Sequence, residues 1–201
     1  LKAVVGVLAL QGDVEEHIAA THLALERLGW QGETVWVKTP KDVERIDTLI
    51  VPGGESTVMA GLATFNGTIM AIKDRVRRGM PIMGTCAGMI TLATRAYDRF
   101  VGETSQPLLG VMDMVVERNS FGRQRESFEA DLAIPALGER SFKGVFIRSP
   151  AVREVGQGVG VLSKYNGTII AVQQQNMIAT AFHPELSGET RFHEFFLQLL
   201  K

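Results

Sequence analysis

Pro81-Ile82-Met83-Gly84-Thr85-Cys86-Ala87-Gly88-Met89-Ile90 is the stretch that decides the fold. Pro81 to Gly84 reads as a short buried strand, and an apolar helix is expected to follow through Ala93. Between them Gly84-Thr85-Cys86-Ala87-Gly88 has the form G-x-C-x-G, a nucleophile-elbow pattern with cysteine in place of serine. A turn that sharp needs residues without Cβ, because its backbone is strained and its neighbours come close. The N-terminus of the following helix points its dipole at the sulfur and favours the reactive thiolate. The N–H of Ala87, just after the cysteine, is free to stabilise an oxyanion. The plainer reading of Cys86 is a small buried hydrophobe.

Upstream, strands and helices alternate. Lys2 to Leu10 reads as a buried strand. Gln11-Gly12-Asp13 is then a turn, with Asp13 the expected N-cap of a helix that Gly29 stops. Thr34 to Val37 and Thr48 to Val51 are further strands, and helices follow Ser56 and run to Arg78. This alternation predicts a parallel sheet flanked by helices on both faces. Downstream, Leu109 to Glu117, Ser127 to Ile134, Gly144 to Ile147, Val159 to Tyr165, Thr168 to Gln175 and Met177 to Phe182 read as strands. Asn166-Gly167 is a hairpin turn signal. A helix carrying Phe192, Phe195, Phe196, Leu199 and Leu200 closes the chain. The expected fold is α/β: a single domain over residues 1–201, a mixed and mostly parallel sheet, flavodoxin-like, with antiparallel strands in its second half.

Composition narrows the function. The 201 residues are 45% hydrophobic and 21% charged, with a net charge of −1, so the chain is neither disordered nor a binder relying on phosphate neutralisation. One cysteine excludes an intrachain disulfide and a multi-thiolate zinc site, and it suits a reducing, cytoplasmic setting. The apolar run Ala3 to Leu10 is far shorter than the roughly 20 residues of a membrane span. No metal-ligand spacing is present, and no cofactor is expected.

A cysteine nucleophile needs a base. His183 stands in Phe182-His183-Pro184-Glu185, just past a strand. If that segment stays extended, His183 and Glu185 point the same way, so the carboxylate holds one ring nitrogen while the other faces sulfur. The alternative is a histidine capping a strand end. His17, His22 and His193 read as surface or boundary residues. Pro52-Gly53-Gly54-Glu55-Ser56 is either a backbone cradle for an oxyanion or an ordinary turn with Ser56 as N-cap. Arg118 and Arg148, at strand ends, are either carboxylate binders or solvated surface charges.

Over nearly its whole length the sequence resembles the PdxT family, the glutaminase subunits of two-component pyridoxal 5′-phosphate synthase. These belong to the class I (triad) glutamine amidotransferases. The matching blocks are Gly6-Val7-Leu8-Ala9-Leu10-Gln11-Gly12, Pro52-Gly53-Gly54-Glu55-Ser56-Thr57, the elbow, Arg118-Asn119-Ser120-Phe121-Gly122-Arg123-Gln124, Glu126-Ser127-Phe128-Glu129, Val145-Phe146-Ile147-Arg148 and Phe182-His183-Pro184-Glu185-Leu186. The resemblance implies Cys86 as nucleophile, His183 as base and Glu185 as its orienting partner. It implies a glutamine site of Gly53, Gly54, Glu55, Arg118, Ile147 and Arg148. The oxyanion hole would use Gly54 and Ala87, and Gln11 would lie near the partner contact. It further implies L-glutamine as substrate and a PdxS-type synthase subunit as partner, which the ammonia reaches internally. Ile90 stands where many other class I members carry Gln, which favours the vitamin B6 branch. Competing readings are a glutaminase serving another synthase, a non-catalytic binding subunit, and a cysteine peptidase.

Overall fold

Every catalytic expectation above rests on strands that end at one edge of one sheet. The computed structural model describes residues 2–121 and 127–200; Gly122, Arg123, Gln124 and Glu126 of the quoted blocks lie outside the described residues. The first half runs β1 (Lys2–Leu8), α1 (Val14–Leu28), β2 (Gln31–Val37), α2 (Pro40–Val43), β3 (Thr48–Val51), α3 (Ser56–Phe65), α4 (Thr68–Arg77), β4 (Ile82–Thr85) and α5 (Ala87–Leu92). The second half runs β5 (Ala93–Asp98), β6 (Gly102–Glu103), β7 (Met112–Arg118), β8 (Ser127–Leu132), β9 (Phe142–Ile147) and β10 (Ala151–Val155). It closes with β11 (Gly160–Tyr165), β12 (Thr168–Gln174), β13 (Met177–Thr180) and α6 (Arg191–Leu197).

An eleven-stranded mixed sheet has the order β2-β1-β3-β4-β13-β12-β10-β7-β5-β6, with β11 beside β12. The block β2-β1-β3-β4-β13 is parallel. From β1 the chain first moves outward to β2, then back across to β3 and β4. Right-handed crossovers therefore place α1 on one face and α3 and α4 on the other. Accordingly α1 packs with α6, while α4 packs with α2 and α3. Ligand sites of such sheets lie beyond the carboxyl ends of the strands, at the switch point. The loops leaving β1, β3, β4 and β13 meet there.

β3 and β4 are buried throughout, as unalternated apolar runs predict. β4 lies between β3 and β13, with Val51 paired to Gly84 and Thr180 to Thr85. That register sets Cys86 between the loop after β3 and the loop after β13. A two-stranded β8–β9 sheet packs nearby through Phe142, Phe146, Phe182 and Phe192, all fully buried. Phe182 meets Phe192 edge-on at 5.5 Å between ring centres, which braces the residue just before His183.

Some boundaries differ from the sequence reading. The elbow helix stops at Leu92, because Ala93 turns extended and begins β5, which pairs with β7. That pairing joins segments distant in sequence and overrides a local apolar pattern. β5, β6 and β10 were not expected. β13 ends at Thr180, two residues early, as the chain leaves the sheet toward the site.

Candidate active site

Cys86 has φ 49° and ψ −104°, outside the comfortable regions for an L-residue. Such a conformation costs about 1–3 kcal/mol and persists only where the surroundings impose it. Here β4 and α5 impose it: Cys86 N donates to Thr180 O at 2.8 Å, and α5 starts at Ala87. A Cβ on Gly88 would fall inside the Val51 carbonyl oxygen, which explains the second elbow glycine. Cys86 is buried but borders a cavity of about 180 Å³ shared with Gly54, Glu55, Ala87, Arg118, Ile147, Arg148 and His183. Its Sγ lies 3.7 Å from Ile147 O.

His183 follows β13, and its N donates to Val145 O at 2.8 Å, tying it to β9. Nδ1 donates to Glu185 Oε1 at 2.7 Å. Nε2 is buried without a protein hydrogen-bond partner, on a ring that borders the cavity beside Cys86. The pairing arises differently from expectation. The segment does not stay extended: Pro184–Leu186 forms a 3-10 turn with Pro184 at its start, and the turn brings Glu185 under the ring.

A second carboxylate addresses the same nitrogen. Asp13 holds the N-cap position of α1 but makes no cap hydrogen bond; its Oδ2 lies 3.3 Å from His183 Nδ1. A charged imidazolium outbids a backbone N–H for a carboxylate. Burial alone would pull the His183 pKa down. The nearby Asp13 carboxylate, Cys86 and the Glu185 carboxylate outweigh it and push it up to about 12. Burial pushes the Glu185 carboxyl up, against the downward pull of His183. Asp13, His183 and Glu185 bring potential ligand atoms within 4.8 Å of one another. Both carboxylates face Nδ1, which is the arrangement of one N–H between two acceptors.

The glycine loop packs against the turn after β1. Gln11 Oε1 accepts from Glu55 N at 2.7 Å, and Asp13 N donates to Gly53 O at 3.3 Å. Gly53 backs the His183 ring so closely that a Cβ would clash with it, while Gly54 (φ 140°) and Glu55 face the cavity. Ser56 is not the N-cap of α3. Glu55 is, its carboxylate accepting from Thr57 N and, at 2.6 Å, from Thr57 Oγ1. Those bonds, opposed by partial burial and aided by Arg118, lower the Glu55 pKa. Arg118 ends β7 and donates to Glu55 Oε1 and Gln106 Oε1, both at 3.3 Å. It is therefore a held residue of the site, not a solvated charge. Arg148 follows Ile147 with φ 44°.

His22 is exposed, as expected. His17 and His193 are not surface residues: both are fully buried and 3.1 Å apart. Helical spacing shows which residues share a face of α1, but not that α6 covers that face. Glu189 accepts from Arg140 at 2.7 Å and from Arg191, fastening the start of α6. Asp13, Ser56, Ile90 and Asn119 complete the cavity wall and carried no local signal of doing so.

The sequence profile of the SNO glutamine amidotransferase family matches residues 7–201. The chain belongs to the SNO glutamine amidotransferase family. Its relatives include the pyridoxal 5′-phosphate synthase subunit PdxT of Aeropyrum pernix, 50% identical over 98% of each chain. The protein of the same description from Nitrosopumilus maritimus is 44% identical over 100% of this chain and 98% of its own. A crystal structure of a glutamine amidotransferase, 45% identical, superposes with a TM-score of 0.85 over 98% of each chain. PurLQS of Thermotoga maritima, at 19% identity, shares the fold with a TM-score of 0.65 over 99% of this chain and 97% of that one. The chain thus has the expected α/β architecture, shared with a solved glutamine amidotransferase. Among the described residues, no helix is long and apolar enough to cross a membrane.

Proposed function

We propose that residues 1–201 act as one glutaminase domain that hydrolyses L-glutamine to L-glutamate and ammonia. The ammonia then passes to a synthase subunit that makes pyridoxal 5′-phosphate. The observation that carries this reading is the His183 ring, pinned by Glu185 through Nδ1 while Nε2 stays unbonded on the side of Cys86. Cys86 is the nucleophile, His183 the acid and base, and Glu185 the residue that holds the ring and its charge.

The Cys86 thiolate attacks the side-chain carboxamide carbon, and the carbonyl oxygen becomes an oxyanion facing the N–H groups of Ala87 and Gly54. His183, as imidazolium, gives its proton to the departing nitrogen, which leaves as ammonia, and a thioester remains. Water adds to the thioester as His183 takes back a proton, and glutamate leaves with the thiolate restored. Glu55, Arg118, Ile147 and Arg148 hold the substrate's amino and carboxylate groups, with Gly53 behind the base. Gln11 lies near the contact with the synthase subunit, at the back of the glycine loop. Ammonia serves a synthase only while un-ionised, so a sealed route between two docked chains is the sensible design. The free Cys86 thiol fits a cytoplasmic setting.

The test is a glutaminase assay with and without a PdxS-type synthase subunit, following glutamate, ammonia and pyridoxal 5′-phosphate. The expected result is low activity alone, a marked rise with the partner, and cofactor formation only in the pair. Cys86→Ala and His183→Asn should each lower turnover by roughly 10⁴-fold or more. A Cys86→Ala protein with full turnover ends the proposal.

A further inference from the structure

Behind Glu185 lie two histidines that no step above uses. His17 comes from α1 and His193 from α6, and neither exposes any surface. Buried imidazoles are costly unless their polar atoms are paired. Here the pairing forms a file. His193 Nε2 is 3.1 Å from His17 Nδ1, and His17 Nε2 is 2.9 Å from Thr85 Oγ1 and 3.2 Å from Glu185 Oε2.

Both ends of the file call for the same tautomers. At the front, a carboxylate oxygen only accepts, so the His17 proton belongs on Nε2 and Nδ1 is left to accept. At the rear, His193 Nδ1 has no partner. A proton there would be an unpaired buried N–H, whereas on Nε2 it is donated to His17 Nδ1. Burial holds both rings neutral: it lowers the His17 pKa well below its usual range, with His193 and His183 adding charge repulsion, and it lowers that of His193 to about 4. His17 is thus a neutral donor whose one defined N–H goes to Thr85 Oγ1, just before the nucleophile, with the unpartnered Glu185 Oε2 3.2 Å from the same nitrogen.

We propose that His17 is a positioning residue for the triad: its Nε2, donating to Thr85 Oγ1, lies 3.2 Å from Glu185 Oε2 and backs the carboxylate whose Oε1 faces His183, while His193 sets the tautomer of His17. One oxygen of the carboxylate then holds the catalytic imidazole, and the other rests 3.2 Å from the supporting one. An orienting hydrogen bond of this kind supports a ligand or base that is itself in the site. The proposal rests on the Cys–His–Glu reading given above.

The test uses the full chain. Alkylation of Cys86 by iodoacetamide near neutral pH reads the Cys86–His183 pair without any substrate. Glutamine turnover in the presence of the synthase subunit reads the reaction. His17→Leu should slow alkylation about tenfold and lower kcat about 30-fold, with KM within about threefold, as loss of a supporting hydrogen bond predicts. His17→Gln, which keeps an N–H donor, should restore both rates to within about fivefold of wild type. Rates within twofold of wild type in His17→Leu overturn the proposal, and so does an equal loss in the Leu and Gln variants, which would mean His17 only fills space. Where His17→Leu does not fold, His193→Leu decides. An alkylation rate slowed fivefold or more supports the file, and a smaller change overturns it. Wild-type alkylation with no glutamine turnover would sink the glutaminase reading alone, leaving the alkylation comparison to judge His17.

Discussion

One carboxylate has two histidines on it, and their fates are opposite. On the front of Glu185, His183 meets Oε1 at 2.7 Å, with Asp13 and Cys86 also at hand, and its pKa is pushed up to about 12. On the rear, His17 meets Oε2 at 3.2 Å, with neutral Thr85 and His193 around it, and burial drives its pKa down. Both imidazoles are almost wholly enclosed. Burial pushes both pKa values down, and the anionic partners around His183 make the difference between them. The front suits the proposed proton transfer and the rear a fixed donor.

The strongest way to break this comparison is to remove the shared charge. Glu185→Gln keeps the shape but not the carboxylate, so His183 loses its nearer anionic partner and keeps only Asp13. Turnover with the synthase subunit should fall roughly 10³-fold, measured as kcat. A loss under tenfold would mean that Asp13 already suffices to hold His183.

The rear of the site has a stability signature. The His193 pKa lies at about 4 in the folded chain against 6.5 for an ordinary histidine. Below pH 6.5 the unfolded chain takes up a proton that the folded chain refuses. Stability is therefore lost as pH falls from about 6.5 to about 4, by roughly 3 kcal/mol for this group, and is flat above that window. Urea unfolding at a series of pH values should show that slope in the wild type and a shallower one in His193→Leu. An unchanged slope would show that His193 is charged in the fold.

Arg118 tests whether the front also binds. It touches Glu55 and Gln106 but neither histidine. Arg118→Met should raise KM for glutamine about tenfold with kcat within about threefold, as loss of uniform binding predicts. A drop confined to kcat would place Arg118 in the chemistry instead. The smallest effect is expected from Asp13→Asn. Glu185 keeps the shorter contact with Nδ1, so kcat should change by only about twofold to threefold. A loss comparable to that of Glu185→Gln would make Asp13 the main anchor of His183.

How much of this was legible beforehand depended on sequence distance. The elbow was readable because its strain, its glycines and its nucleophile occupy five consecutive residues. His183 and Glu185 were readable as a pair two residues apart, although a 3-10 turn, not a strand, joins them. The glycine loop was visible, but not that Gln11 braces it from the turn after β1. Asp13 looked like a helix cap because cap positions are judged from neighbours, and the imidazole that claims it is 170 residues away. His17 and His193 looked peripheral for the same reason.

Alone, the amino-acid sequence determined the alternation of elements, the buried strands, the elbow and the residues proposed as the triad, since each depends on local spacing and side-chain chemistry. Tertiary structure alone decided which histidine has its pKa raised and which have theirs lowered. A pKa is set by the partners within a few ångströms, and here they come from α1, β4, the turn after β13 and α6. Those segments become neighbours only when the parallel strands align at one edge of the sheet.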